Sequence, residues 1–308
     1  MVYHIITLLA LCQYLLTLTC MKINKISPLK HKYLQITSVI AKPPTLLYYT
    51  GSLPDQRIPT IAIVGTRKPT LYGKEVTSQL AYGLAQKGVV IVSGLALGVD
   101  AIAHRAALDA GGITIAILPC GLPKIAPATN RGLAEDILRS GRGALISEYA
   151  PDAVIAWKSN MLERNRLVAG VADALLITEA SLRSGTINTA ARALEQGKTV
   201  FVVPGNITSP ASAGCNALIR QGATPVTCAD DIIEEIAPQL LTAQSQLNLG
   251  SNSVETAIIA QLQAGLRDGD DMQRAIGVDA GEFNIALTML ELAGTIKPLG
   301  ANQWALRQ

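Results

Sequence analysis

Six apolar runs of strand length recur between residues 61 and 203, and this recurrence constrains the fold more than any other feature of the chain. They lie at 61–64, 89–92, 113–118, 144–146, 174–177 and 199–203, nearly continuous in Val, Ile, Leu and Ala. Runs without polar alternation suit strands buried on both faces, as in a parallel sheet. Helix-like stretches separate them at 73–87, 99–110, 131–140, 161–171 and 186–196. Gly88, Gly111, Gly141 and Gly197 follow four of these stretches, where a left-handed helix cap is wanted. The pattern predicts an α/β fold with a Rossmann-like, doubly wound, mostly parallel sheet, whose ligands sit at the carboxyl ends of the strands.

The flanks read differently. Residues 1–58 form an N-terminal segment that leads into a core at 59–238. Residues 1–20 carry no Lys, Arg, Asp or Glu. Without a basic start or a small-residue cleavage site, a secretion signal fits them less well than a start-site extension ahead of Met21. A membrane anchor is the third reading, since the length is barely enough to span. Residues 239–252, uncharged and rich in Gln, Asn, Leu and Ser, read as a linker. In 253–308 the apolar residues Ile258, Ile259 and Leu262, then Met272, Ala275 and Ile276, then Ile285, Leu287, Met289, Leu290 and Leu292 predict three helices. A short hairpin follows them. Three helices and a two-stranded wing make a small winged-helix domain.

Composition narrows the function classes. With 49% hydrophobic and 16% charged residues, the chain is no disordered polymer. A net charge of +3 is not that of a protein held on duplex DNA by bulk electrostatics, so any nucleic-acid role needs a local basic pocket. The charge is uneven: +5 over 1–58, +1 over 59–252 and −3 over 253–308. An acidic winged helix is wrong for a major-groove reader and suits a protein contact, against a transcription-regulator reading. The five cysteines are odd in number and include no CxxC, so they read as small core residues of a reducing, cytoplasmic protein, with no metal site.

The chemistry gathers where strands end. Gly65, Thr66 and Arg67 follow the first strand, with Tyr72 and Gly73 at the next helix start. A Gly there lets the backbone turn sharply toward an anion, and Arg67 can fork onto a phosphate. Ser93, Gly94 and Gly98 with Asp100 form a second such turn, and Asp100 reads as a helix cap. His104 reads as a packed or hydrogen-bonded residue, since no nucleophile or metal partner is in view. Arg164, Asn165 and Arg166 supply a third cluster, and Ser184, Gly185 and Thr186 a fourth with hydroxyl and amide donors. Pro204 and Gly205, then Ser212 to Asn216, read as a last strand-end loop closing the basin. There is no G-x-G-x-x-G, G-x-S-x-G or HExxH, and Gly197-Lys198-Thr199 precedes a strand instead of opening a helix.

Taken in order and spacing, these segments resemble the DNA-processing protein A (DprA/Smf) family over about residues 44–237. The 253–308 unit is similar to the winged helix that many members carry. The resemblance implies a non-enzymatic, cofactor-free protein that binds single-stranded DNA in a basic pocket and loads the RecA recombinase onto it. The setting it implies is natural transformation or recombination. It also implies a homodimer formed through the Rossmann domain, with no membrane role unless 1–20 is an anchor. Carried over, the DNA-binding set is Gly65, Thr66, Arg67, Tyr72, Gly73, Ser93, Gly94, Gly98, Lys124, Asn130, Arg164, Asn165, Arg166, Ser184, Gly185 and Thr186. The sequence departs from the family where Ala126-Pro127-Ala128-Thr129-Asn130 lacks the usual Tyr, with Lys124 as a substitute for a missing lysine. It departs again where Leu162-Glu163 replaces Phe-Pro ahead of Arg164. The N-terminal helical domain of longer members has no room here. The competing expectation is a nucleotide-processing enzyme of the lysine-decarboxylase-like phosphoribohydrolase group, whose Pro-Gly-Gly-x-Gly-Thr hallmark is missing. Aromatics at 4% leave few rings to stack bases on, which favours phosphate contacts.

Overall fold

The structure, a computed structural model, describes residues 22–154, 156–241 and 252–306. The chain divides into two compact units, Met1–Pro238 and Gln239–Gln308. The reading of residues 1–20, and most of the expected linker, lie outside the described residues.

In the first unit, a nine-stranded sheet runs in the order β1-β2-β6-β5-β4-β3-β7-β8-β9. Its strands are β1 (Asn24–Ile26), β2 (Leu47–Gly51), β3 (Thr60–Val64), β4 (Val90–Ser93), β5 (Thr114–Leu118), β6 (Ala144–Ser147), β7 (Ala174–Ile177), β8 (Val200–Val202) and β9 (Thr224–Pro225). From β6 to β9 every pairing is parallel; β1 and β2 add an antiparallel edge. All six expected strands are present, and β3 to β7 are buried at every position, as continuous apolar runs demand.

The helices are α1 (Leu71–Gln86), α2 (Val99–Asp109), α3 (Arg131–Arg139), α4 (Trp157–Val171), α5 (Thr186–Glu195), α6 (Ala213–Arg220) and α7 (Ala229–Ile236). Gly88, Gly111, Gly141 and Gly197 all have positive φ, the left-handed caps the sequence asks for. Two expectations need correction. Residues 213–216 are not loop but the first turn of α6, which buries Cys215 and Leu218. Cys228 is no core residue: it is exposed and caps α7, its thiol 3.3 Å from Asp231 Oδ1. Cys120 and Cys215 are buried as expected.

Chain order places the functional region. β3 to β6 build the sheet in one direction, and the chain then returns to β3 and lays β7 to β9 on its other side. The switch point therefore lies beside β3, where helices leave in opposite directions and open a crevice at the strand ends.

In the second unit, α8 (Ser253–Gln263), α9 (Gly269–Ile276) and α10 (Ala280–Leu292) precede the hairpin β10 (Ile296–Gly300) and β11 (Gln303–Leu306). Asn252, Asp268 and Asp279 cap the three helices through side-chain oxygens. Ile258, Met272, Phe283, Leu287 and Ile296 share its core. This is the expected winged helix.

Candidate functional site

A cavity of about 400 Å³ opens at the switch point. Its walls come from the turn after β3 (Gly65, Thr66, Arg67), the turn after β4 (Gly94, Ala96), the loop into α5 (Ser181 to Thr186) and one face of α4. The first turn is tied to the segments after β7 and β4. Thr66 N donates to Glu179 O at 2.8 Å, and Val99 N donates to Thr66 O at 3.2 Å. Gly98 sits at φ +80, and a Cβ there would lie 2.4 Å from Thr66 O, so only glycine fits without moving backbone.

Arg164 forms the floor. It is 7% exposed, and its Nη1 donates to Gly94 O at 2.6 Å and to Ile117 O. A Cβ on Gly94 would stand 2.4 Å from that Nη1, so the glycine makes room for the guanidinium. Asp100 is buried beside it and accepts from Gly94 N at 3.1 Å and Ala96 N at 3.2 Å. The sequence reads Asp100 as a helix cap; instead it ties the β4 turn, and Gly98 is the cap position. Burial pushes the Asp100 carboxyl up while the Arg164 charge opposes it. Burial also pulls the Arg164 guanidinium down, against the Asp100 carboxylate.

Arg67 stands above this floor, exposed, with Nη2 3.3 Å from Met161 Sδ. Among the described residues no carboxylate pairs with it. Opposite lies the loop into α5, where Ser184 Oγ reaches Thr186 Oγ1 at 2.9 Å and accepts from Thr186 N at 3.2 Å. Asn165 Nδ2 lies 3.4 Å from Asn188 Oδ1. A second hollow of about 370 Å³ shares the Arg67, Gly94 and Arg164 wall and is otherwise apolar, with Leu97, Ile125 and Pro127.

The cavity thus gathers Gly65, Thr66, Arg67, Gly94, Arg164, Asn165, Ser184, Gly185 and Thr186. Five other expected residues sit behind or beside it. Ser93 is buried and donates to Ile63 O at 2.6 Å, and Asn130 holds the β4 turn through Leu95 O at 2.8 Å and Ala96 O at 3.1 Å. Gly98 lies under the Thr66–Arg67 backbone. Tyr72 donates to Pro204 O at 2.7 Å in a neighbouring cleft, and Gly73 packs on the Glu179 carboxylate. Lys124 is exposed and lines none of these walls.

Arg166 goes elsewhere, contrary to the expected convergence of three arginines. Its Nη2 donates to both Glu148 oxygens at 2.6 Å, and its Nε lies 3.3 Å from Glu163 Oε1. It lines a separate small hollow with Lys42 and Arg192. The reason is geometric: α4 is continuous through 164 and 166, and residues two apart on a helix point about 200° apart. Glu179, which opens the fourth strand-end segment and which the sequence gives no role of its own, is 1% exposed and accepts from Thr70 N at 2.8 Å and Thr70 Oγ1 at 2.6 Å. An acid two residues past a buried strand is the signal for it.

Fold and cavity together define a doubly wound α/β protein with a switch-point ligand crevice and an appended winged helix. Comparison with known proteins gives that class a family. Residues 24–237 match the family described as DNA recombination-mediator protein A, and 242–302 match the DprA winged helix domain. The chain belongs to the DprA/Smf family of DNA-processing proteins. A putative DNA processing protein DprA of Mycobacterium tuberculosis is 51% identical over 239 residues, covering 76% of this chain and 61% of the relative. The chain therefore spans about three fifths of that relative's length. The X-ray structure of DprA from Streptococcus pneumoniae superposes with a TM-score of 0.64 at 38% identity, covering 70% of this chain and 75% of that one. DprA from Helicobacter pylori, whose structure concerns its single-stranded DNA binding mode, superposes with a TM-score of 0.59 at 34% identity, covering 74% and 99%.

Proposed function

We propose that the switch-point cavity binds single-stranded DNA, with a backbone phosphate between Arg67 and the Arg164 floor. The observation that carries this reading is an exposed arginine with no carboxylate partner among the described residues, set over a buried arginine at the strand ends. The Thr186 hydroxyl, which accepts from Ser184 Oγ, offers a further donor, and the apolar hollow beside Arg67 offers a base a dry surface. Binding of this kind is backbone-directed, salt-sensitive and weakly dependent on sequence. The related Helicobacter pylori structure, which concerns a single-stranded DNA binding mode, supports the reading independently.

The wider role we propose is that of the family: protecting incoming or processed single strands and loading RecA onto them during transformation or recombination, as a cytoplasmic homodimer joined through the Rossmann unit. Among the described residues no helix is long and apolar enough to cross a membrane. We read the protein as a binder and not an enzyme, because the buried carboxylates in the cavity wall and in the cleft beside it are already engaged. Asp100 accepts from two backbone amides and Glu179 from Thr70.

A gel-shift experiment tests the reading. Poly-dT should be retained more strongly than a duplex of equal length. Arg67→Ala should weaken retention and flatten the slope of log K against log salt by about 0.7, the share of one phosphate contact. Gly94→Ala, which displaces the Arg164 guanidinium, should weaken it as well. Equal affinity for duplex, or an Arg67→Ala protein that binds as before, overturns the assignment. Ribose 5-phosphate release from AMP that disappears with Arg164→Ala would install the hydrolase instead.

A further inference from the structure

The third helix of the C-terminal unit carries an exposed apolar line. α10 buries Phe283, Ala286, Leu287 and Leu290 in the unit's core. On its other face Ile285 is 68% exposed, Met289 53% and Leu292 78%. The spacing i, i+4, i+7 sets these three side chains in one row along the helix. Single exposed apolar residues are ordinary, but a row of three on one helix face is a surface suited to contact.

Charge says what kind of contact. Glu282 and Glu291 flank the row, and α10 contains no Lys or Arg. The whole segment 253–308 has four basic and seven acidic residues. In winged-helix and related domains the recognition helix enters the major groove with donors and cations; this one would bring carboxylates and methyl groups to a phosphate backbone. A second copy fits no better. An isologous contact across a two-fold axis would set this acidic face against itself.

We propose that this face of α10 docks a protein partner through a basic amphipathic helix. The partner's apolar side lies along Ile285, Met289 and Leu292, and its Lys or Arg residues pair with Glu282 and Glu291. Anchors at i, i+4 and i+7 are the pattern by which one helix is read by another, and opposite charge at the rim fixes orientation and excludes nucleic acid.

The full chain and a synthetic probe test this. The probe is a fluorescein-labelled Lys/Leu peptide of about 18 residues, five turns, with its leucines on one helical face. A scrambled peptide of the same composition is the control. In fluorescence anisotropy the full chain should bind the patterned peptide at least about 10-fold more tightly than the scrambled one. The double variant Ile285→Gln with Met289→Gln should lose about 10-fold or more of that affinity, as should Glu282→Lys with Glu291→Lys. Both pairs lie on the solvent face, so the Gln variant should match the parent in thermal unfolding and poly-dT binding, while the Lys variant, which loses Glu282 from the first turn of α10, should unfold slightly earlier. Equal binding of the two peptides, or undiminished binding by the Gln variant, overturns the proposal. So does retention of duplex DNA by the full chain that the Gln variant loses. Light scattering in which the parent self-associates and the Gln variant does not would assign the face to a second copy of this chain, and likewise overturns it.

Discussion

His104 shows how much one buried residue settles. It is fully buried, and its Nδ1 lies 2.6 Å from Thr114 Oγ1. The Thr114 hydroxyl donates to Ile91 O at 2.9 Å, so it accepts from the ring, which must be the Nδ1–H tautomer. Nε2 is left buried with no partner, and protonating it would bury a bare N–H. Burial first, and the Arg164 charge second, push its pKa down to about 3. The residue is therefore a neutral core group and no acid or base, as its place one turn into a helix suggests. The linkage has a definite sign. Between the unfolded value near 6.5 and about 3, the unfolded chain takes up a proton that the fold refuses. Stability is full above that window and falls as pH falls through it, by about 2 kcal/mol from this group at pH 5. Urea unfolding of the parent and of His104→Leu at pH 7 and pH 5 should differ by that increment, with the variant showing the smaller pH effect. Gly94 and Gly98 belong to the same scale. Each was legible as a glycine at a strand-end turn, but what each avoids, a guanidinium and a backbone carbonyl, comes from residues far along the chain.

At the scale of elements, helix ends marked by glycine were readable because φ > 0 is a local demand. α6 and α7, each 8 residues long, were not, since the packing of Cys215 and Leu218 and of Ile232 and Ile233 forms them more than local propensity does. α4 matters most. The run Arg164-Asn165-Arg166 reads as one basic cluster, yet a helix divides it between two environments. Arg164 goes to the strand ends, and Arg166 to Glu148 and Glu163. The Arg166 side chain is 9% exposed and that of Glu148 24%, so removing one partner strands the other. Arg166→Ala should cost on the order of 2 kcal/mol of stability, by denaturant midpoint. Among molecules still folded it should leave poly-dT affinity nearly unchanged. A large affinity loss at unchanged stability would return Arg166 to the DNA site.

At the scale of the whole molecule, the near-neutral total charge hides a division of labour. The cavity draws all its lining from residues 64–189, within the first unit. A protein ending at residue 241 should accordingly bind poly-dT within about 2-fold of the full chain, a difference under 0.5 kcal/mol. A loss beyond 10-fold would place the winged helix in the DNA site.

The amino-acid sequence by itself determined the parallel sheet, the strand-end position of the site and the winged helix, because each rests on local periodicity and turn chemistry. Only the tertiary structure decided which charges meet. Arg164 is fixed by carbonyls from the turn after β4 and from β5, Glu179 by Thr70, and Arg166 by Glu148, all contacts between residues distant in the chain. It also decided that Ile285, Met289 and Leu292, apolar like the rest of α10, face solvent while their neighbours build a core. Periodicity says that a helix has two faces; which face is covered depends on the elements packed against it.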